Sequence, residues 1–270
     1  MVAPKSPHAK SNGQTLSNCH SPRAGEPDRD KRAFDLAFGL CLFVVAVPVI
    51  AVIWLAVRAT SAGPGLYSQL RVGRGGRHYR IYKIRTMQYN CEGKSGAQWC
   101  VNRDPRVTPL GRVLRKLHLD ELPQLWNVLR GDMSLVGPRP ERPEFVGPLS
   151  VEIPDYSERH LVRPGVTGLA QIQLPADTSV ESVRTKLVLD RRYVADRSCW
   201  LDIRIMVGTA VYLSGCSYDT VRRLLWLPNP LNCDRFIVEE RLLATPSSRS
   251  ESILDDLVLS DQDSAVYGKA

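Results

Sequence analysis

Residues 36–57 read LAFGLCLFVVAVPVIAVIWLAV, with Pro48 near the middle and no charged side chain in the run. About 20 apolar residues suffice for a helix to cross the hydrocarbon of a bilayer, so this segment separates the chain from ordinary soluble domains. Pro48 has no N–H for an internal helical hydrogen bond, and its ring crowds the carbonyl of Val44, which predicts a bend. Two topologies are open: a kinked helix that spans, or a bent helix that re-enters the face it left. Bases flank both ends, Lys31 and Arg32 before and Arg58, Arg71, Arg74, Arg77 and Arg80 after. The tendency of cytoplasmic flanks to be positive therefore favours no direction of crossing. A re-entrant helix with both ends in the cytoplasm accounts for that symmetry, and the length of the run disfavours a buried soluble core helix.

Outward from the run, residues 1–30 are rich in Ser, Pro, Asn, Gly and charge, which predicts a disordered leader. They also lack the early apolar stretch and cleavage site of a secretory signal. Residues 246–270 hold five acids against Arg249 and Lys269, so a chain of net +8 carries +11 over residues 1–245. That excess suits polyanions: nucleic acid, anionic headgroups or nucleotide-linked substrates. The seven cysteines are scattered without a CxxC pair. This argues against a zinc site or disulfide framework and fits a reducing compartment.

After the turn-forming Gly63-Pro64-Gly65, residues 66–87 read as short strands joined at Gly73-Arg74-Gly75-Gly76. Imperfect alternation in residues 79–85 predicts that both faces of the second strand meet something. Residues 88–104 read as a loop. Helices are expected over 110–117, over 123–129 with Pro at the start and Gly131 at the end, and from a Thr178-Ser179-Val180-Glu181 capping pattern to about residue 194. Residues 200–213 form another, lying in the core or at the membrane interface with Trp200 and Tyr212 as anchors. The fold class is α+β, mostly α. The expected divisions are a leader (1–30), a membrane-embedded helix (31–58), a compact cytoplasmic catalytic domain with short strands and amphipathic interface helices (59–215), a basic helical extension (216–245) and an acidic disordered tail (246–270).

Asp120 and Glu121 stand side by side ahead of the proline-started helix. Adjacent residues in helical geometry point about 100° apart, so the pair is not a flanking acid and base aimed at one atom. One carboxylate could attack phosphorus while the other holds a metal or moves a proton; equally, both could serve the helix N-terminus electrostatically. Arg139 lies between Pro138 and Pro140, which restrict its backbone and pre-set a guanidinium suited to phosphate. Six bases and no acid lie between Arg71 and Arg85, a patch for nucleic acid, for lipid headgroups or polyprenyl phosphate with Lys83 and Arg85 facing the active site, or for solvent. No nucleic-acid motif accompanies it. His118 is a weak candidate base, and the glycines at 73, 75 and 76 form no P-loop.

Taken in order, these blocks resemble the bacterial sugar transferase family, the monotopic phosphoglycosyl transferases, over residues 31 to about 213. The resemblance rests on Lys31-Arg32-Ala33-Phe34-Asp35, the apolar run with Pro48, Gly63-Pro64, Gln69, Arg71-Val72-Gly73 and Lys83-Ile84-Arg85-Thr86-Met87. It continues through residues 120–128, residues 131–140 and Arg163-Pro164-Gly165-Val166-Thr167-Gly168-Leu169-Ala170-Gln171. It implies a helix re-entrant at Pro48, on the cytoplasmic face of a bacterial inner membrane. It further implies that Asp120 attacks the β-phosphate of a UDP-sugar, releasing UMP, that Glu121 binds Mg²⁺, and that polyprenyl (undecaprenyl) phosphate then takes the phosphosugar. Such a reaction initiates exopolysaccharide, O-antigen or glycoconjugate assembly. Arg139, Lys83, Arg85, Arg71 and Gln171 are the implied substrate and phosphate contacts, membrane lipids are further partners, and nucleic acid is not expected. The chain departs from the family pattern at Ala62, at Val47 before the bend proline, and at Gln173-Leu174-Pro175, which bears on sugar recognition. It resembles the compact form, without the several-helix membrane domain of larger members. The alternative is a membrane-tethered, catalytically silent protein that binds lipid headgroups or nucleic acid.

Overall fold

The computed structural model describes residues 29–91, 104–177 and 179–229. The expected leader, except Arg29 and Asp30, therefore lies outside the described residues, as do most of the 88–104 loop, Thr178 and everything after Asn229. Arg29 and Asp30 open the first helix, α1 (Arg29–Thr60), which starts earlier than expected and runs unbroken with Pro48 inside it. Its 32 residues correspond to about 48 Å at 1.5 Å per residue. It is the one helix among the described residues long and apolar enough to cross a membrane.

One stripe of α1 is buried, formed by Asp35, Gly39, Ala46, Ile53 and Val57, a spacing that keeps to a single helix face. Elsewhere Val44, Val45, Val52 and Leu55 stand at least 60% exposed. The stripe meets the globular part along the whole helix. Gly39 lies against Val128, where an added Cβ would come within 3.2 Å of a methyl group. Ala46 joins the main core, and Ile53 and Val57 pack with Ile84 and Leu114.

Polar contacts fasten the start of α1. Arg32 donates to the carbonyls of Val128 (2.6 Å) and Leu129 (2.8 Å), which satisfies groups left open at the C-terminus of a helix. Lys31 reaches Asp35 at 2.7 Å and Asp202 at 2.9 Å. The buried Asp35 in turn accepts from Ser134 Oγ and the Leu135 N–H. A fixed network of this kind is how buried charges are tolerated.

The predicted strands form an antiparallel hairpin, β1 (Leu66–Val72) with β2 (His78–Ile84), in register from Leu66↔Ile84 to Val72↔His78. Gly75 and Gly76 take the positive φ that the turn requires. Then come α2 (Pro109–Lys116), capped by Thr108, and α3 (Gln124–Arg130), stopped by Gly131 at φ +89°. The fully buried Asn127 of α3 accepts from the Tyr82 N–H and donates to the Arg80 carbonyl, tying α3 to the open edge of β2.

Two short strands went unforeseen. β3 (Ser134–Val136) and β4 (Gly165–Thr167) pair in parallel. The pairing explains the glycines flanking them: a Cβ on Gly165 would sit 2.1 Å from the Gly137 nitrogen, and one on Gly168 2.2 Å from the Gly137 carbonyl. Helix α4 (Pro143–Glu152) was also unforeseen, because Pro148 lies inside it. Helix α5 (Val180–Asp196) begins at the expected place, but its reciprocal cap joins Ser179 to Ser182 and does not involve Glu181. Helix α6 (Cys199–Leu213) follows. Of the expected basic extension, α7 (Tyr218–Leu224) is described. Val128, Met133, Leu135, Leu189, Ile205 and Val221 centre the main core, and the whole is mostly helical with few short strands.

Candidate active site

Asp120 and Glu121 occupy a 3₁₀ turn, Leu119–Glu121, entered through His118 at φ +54°. Both are buried. With about three residues per turn their side chains diverge, as the helical argument anticipated, and they meet different surroundings.

Glu121 is clasped by two cations. Lys83 of β2 donates to Oε1 at 2.7 Å, and Arg139 donates to Oε1 at 2.8 Å and reaches Oε2 at 3.5 Å. Burial alone would raise the Glu121 carboxyl, but Arg139 and then Lys83 hold it well below the usual carboxylate range. The Lys83 ammonium is pushed down by burial, with Glu121 opposing. Glu121 raises the Arg139 guanidinium.

Asp120 differs. Among the described residues no hydrogen bond to its carboxylate is present. Its pKa is raised by burial first and by the Glu121 charge second, with Lys83, Arg115 and Arg139 opposing. A desolvated carboxylate with oxygens not consumed by donors, set near three cations, is a stronger nucleophile than one saturated by hydrogen bonds.

The other residues singled out from sequence separate in the structure. Lys83 and Arg139 converge on Glu121. Gln171 lines the neighbouring cavity, its amide donating to the Val166 carbonyl while Oε1 is buried without a partner. Arg71 stands behind the site, donating to the Pro140 carbonyl and to Gln69, 3.6 Å from Glu141; it braces the loop that carries Arg139. Arg85 does not face the site. It bonds Ser61 and the Ala62 carbonyl just beyond α1, because it lies past the end of β2, where strand alternation no longer governs direction. Tyr212 stacks on Tyr218 with ring centroids 5.0 Å apart and lines the cavity. Trp200 is 67% exposed. Arg115 was missed. It lies in the last turn of α2, only five residues before Asp120, and acts on that carboxylate electrostatically; only its place in a basic helix end could have pointed to it.

The cavity measures about 700 Å³. Leu42, Val45 and Val49 of α1 form one wall, Met206, Ala210 and Leu213 of α6 another, and Glu121 and Arg139 lie at its polar side. No group of three or more His, Cys, Asp or Glu side chains forms a ready metal cage among the described residues. The site therefore combines an anchored carboxylate, Glu121, at a mainly apolar chamber with a neighbouring buried carboxylate, Asp120, that accepts no hydrogen bond among the described residues.

The bacterial sugar transferase family profile matches residues 28–215. An Aeromonas hydrophila protein named UDP-N-acetylgalactosamine-undecaprenyl-phosphate N-acetylgalactosaminephosphotransferase is 45% identical over 170 residues, 62% of this chain and 40% of that protein. A Caulobacter vibrioides protein named UDP-glucose:undecaprenyl-phosphate glucose-1-phosphate transferase is 42% identical over 184 residues, 67% of this chain and 68% of that protein. The exopolysaccharide production protein PSS of Rhizobium leguminosarum is 39% identical over 187 residues, 67% of this chain and 93% of that protein. The chain spans 40% and 35% of the length of the Aeromonas relative and of a Komagataeibacter xylinus relative. The matched span contains α1, both sheets and every residue of the carboxylate site, and the chain belongs to the bacterial sugar transferase family.

Proposed function

We propose that the protein transfers a sugar 1-phosphate from a UDP-sugar to polyprenyl phosphate through a phosphosugar carried on Asp120. The observation that carries the reading is the buried Asp120 carboxylate, without a hydrogen bond among the described residues, next to the Lys83–Glu121–Arg139 cluster, of which Glu121 and Arg139 line a chamber walled by the apolar helix. In the first step an Asp120 oxygen attacks the β-phosphorus. The bond from that phosphorus to the bridging oxygen breaks, and UMP leaves with the oxygen. In the second, a phosphate oxygen of the lipid attacks the same phosphorus, and Asp120 departs as a carboxylate. Fixed cations around the phosphates stabilise the charge that develops in each displacement.

The donor set suits Mg²⁺, which uses one or two carboxylates and otherwise takes substrate phosphate oxygens and water. Glu121 would hold it, since Oε2 meets Arg139 only at 3.5 Å; when bound, the ion would neutralise diphosphate charge. Glu121 is kept ionised for this by its two cations.

The re-entrant topology draws support from α1 itself. Its start is fastened through Lys31, Arg32 and Asp35, and its end packs through Ile53 and Val57 onto the same globular part. A helix held at both ends by one domain keeps both ends on that domain's side of the bilayer. In this reading the domain lies on the cytoplasmic face of the inner membrane. The two transferases named above act, by name, on undecaprenyl phosphate, which disfavours the binding-protein alternative.

The test is single-turnover UMP release from UDP-sugars with Mg²⁺ and no lipid acceptor, together with trapping of radiolabelled phosphosugar on the protein. Wild type releases about one equivalent and becomes labelled, whereas Asp120→Asn does neither. UMP release unchanged in Asp120→Asn would refute the covalent route.

A further inference from the structure

Lys186 lies outside every motif noted in the sequence. It sits on α5 in line with the buried Val183 and Asp190, three residues after one and four before the other, so it belongs to the inward face of the helix. A lysine on such a face is costly unless its charge is used. Its side chain is 14% exposed and pairs with Asp177 at 2.9 Å. One ammonium carries three donors, and Asp177 takes one.

Lys186 and Arg139 are the only Lys or Arg side chains among the described residues lining the large cavity. Both also line a slot of about 10 Å³ together with Gln171, Arg159, Asp177 and Asp190, so the two cations flank the same place, with Arg159 paired to Asp190 and Lys186 to Asp177. The remaining cavity lining is mainly aliphatic, and its α1 wall uses side chains that are themselves exposed on the helix surface: Leu42 at 44%, Val45 at 71% and Val49 at 40%. The chamber thus passes from an apolar wall, continuous with the exposed face of α1, to a polar end where Lys186 and Arg139 stand with Glu121. That gradient is the complement of a long hydrocarbon ending in a phosphate. A nucleotide-sugar, polar throughout, gains little from an aliphatic wall.

We propose that Lys186, held from behind by Asp177, binds the phosphate headgroup of the isoprenoid acceptor and presents it opposite Arg139. The assignment rests on the two-step reaction proposed above and makes Lys186 specific to its second step. Arg139 is shared, because it is already engaged with Glu121. Lys186 is not: its ion-pair partner is Asp177, in the segment leading into α5.

The experiment uses the full chain in nanodiscs with Lys186→Gln and Lys186→Arg. For Lys186→Gln, acceptor-free UMP release is expected to stay within twofold of wild type, while the KM for undecaprenyl phosphate rises about 10- to 100-fold, the range for one lost charge-assisted hydrogen bond. Lys186→Arg recovers most of the loss. A parallel fall in UMP release, or an unchanged acceptor KM, overturns the proposal; the first result marks a donor or purely structural role. A second arm needs no turnover. Undecaprenyl phosphate binding is compared between Asp120→Asn and Asp120→Asn/Lys186→Gln, with undecaprenol as the uncharged control. The expected result is weaker phosphate-lipid binding in the double variant and equal undecaprenol binding in both. Equal phosphate-lipid binding overturns the proposal even if wild type forms no covalent intermediate, so failure of the two readings is distinguishable.

Discussion

Replacing Asp35 with alanine should detach the start of α1 from the globular part. The Asp35 carboxylate is fully buried, and one oxygen accepts from Lys31 at 2.7 Å, Ser134 Oγ at 3.0 Å and the Leu135 N–H at 3.1 Å. Removing one partner of a buried ion pair costs about 3–5 kcal/mol, and stranding a buried amide about 1–3 kcal/mol. These effects share one site and do not add. Two features moderate the loss: Lys31 keeps Asp202 at 2.9 Å, and Ser134 Oγ keeps the Val136 carbonyl at 2.8 Å. The expected cost is therefore about 3–5 kcal/mol in total, a large fraction of the stability of an ordinary domain. Equilibrium unfolding in detergent measures it, and hydrogen exchange at the Leu135 amide localises it. Asp35→Asn should lose less, because an amide oxygen can still accept from Leu135. A loss below about 1 kcal/mol for Asp35→Ala, the value of an exposed pair, would refute the claim that this network anchors the helix.

Lys83→Met should leave Glu121 with Arg139 alone and slow single-turnover UMP release by about 100-fold, the usual effect of removing one fixed charge-stabilising donor; an unchanged rate would dissociate Lys83 from the site. Burial first, and then Arg159, depress the His160 imidazole from 6.5 to about 4. Its folded form therefore binds fewer protons than the unfolded chain, and its contribution to stability is lost as pH falls from 6.5 to 4. Denaturant midpoints across that window should show a slope that His160→Gln reduces. Gly168→Ala would press a methyl group against the Gly137 carbonyl at 2.2 Å, and overpacking of this kind should lower stability by about 1–3 kcal/mol and disturb the Arg139 loop, read as a lower thermal midpoint together with slower UMP release.

Much of the local structure was legible because its causes are local. The uncharged run over residues 36–57 dictated one long helix, the glycines after Val72 dictated the hairpin turn, and Gly131 marked a helix end. Adjacency alone showed that Asp120 and Glu121 point apart. The proline-flanked Arg139 and the strand residue Lys83 stood out in the sequence, yet nothing in their neighbourhoods indicated that both would grip Glu121. Arg85, of the same charge and two residues beyond Lys83, turned instead to Ser61.

What tertiary structure alone decided is which distant segments share a space. The glycines at 137, 165 and 168 gain their reason only when β3 and β4 bring two backbones within a distance that admits no side chain. Lys186 carries no motif of its own in the sequence, and its place follows from the chamber that α1 and α6 wall and that it lines. Capping, backbone freedom and hydrophobic periodicity act over a few residues and are written into the chain directly. Charge pairing and cavity shape depend on residues far apart in sequence, and they exist only once the core has packed. For the same reason, the apolar run that dictated α1 did not reveal that α1 also walls the site.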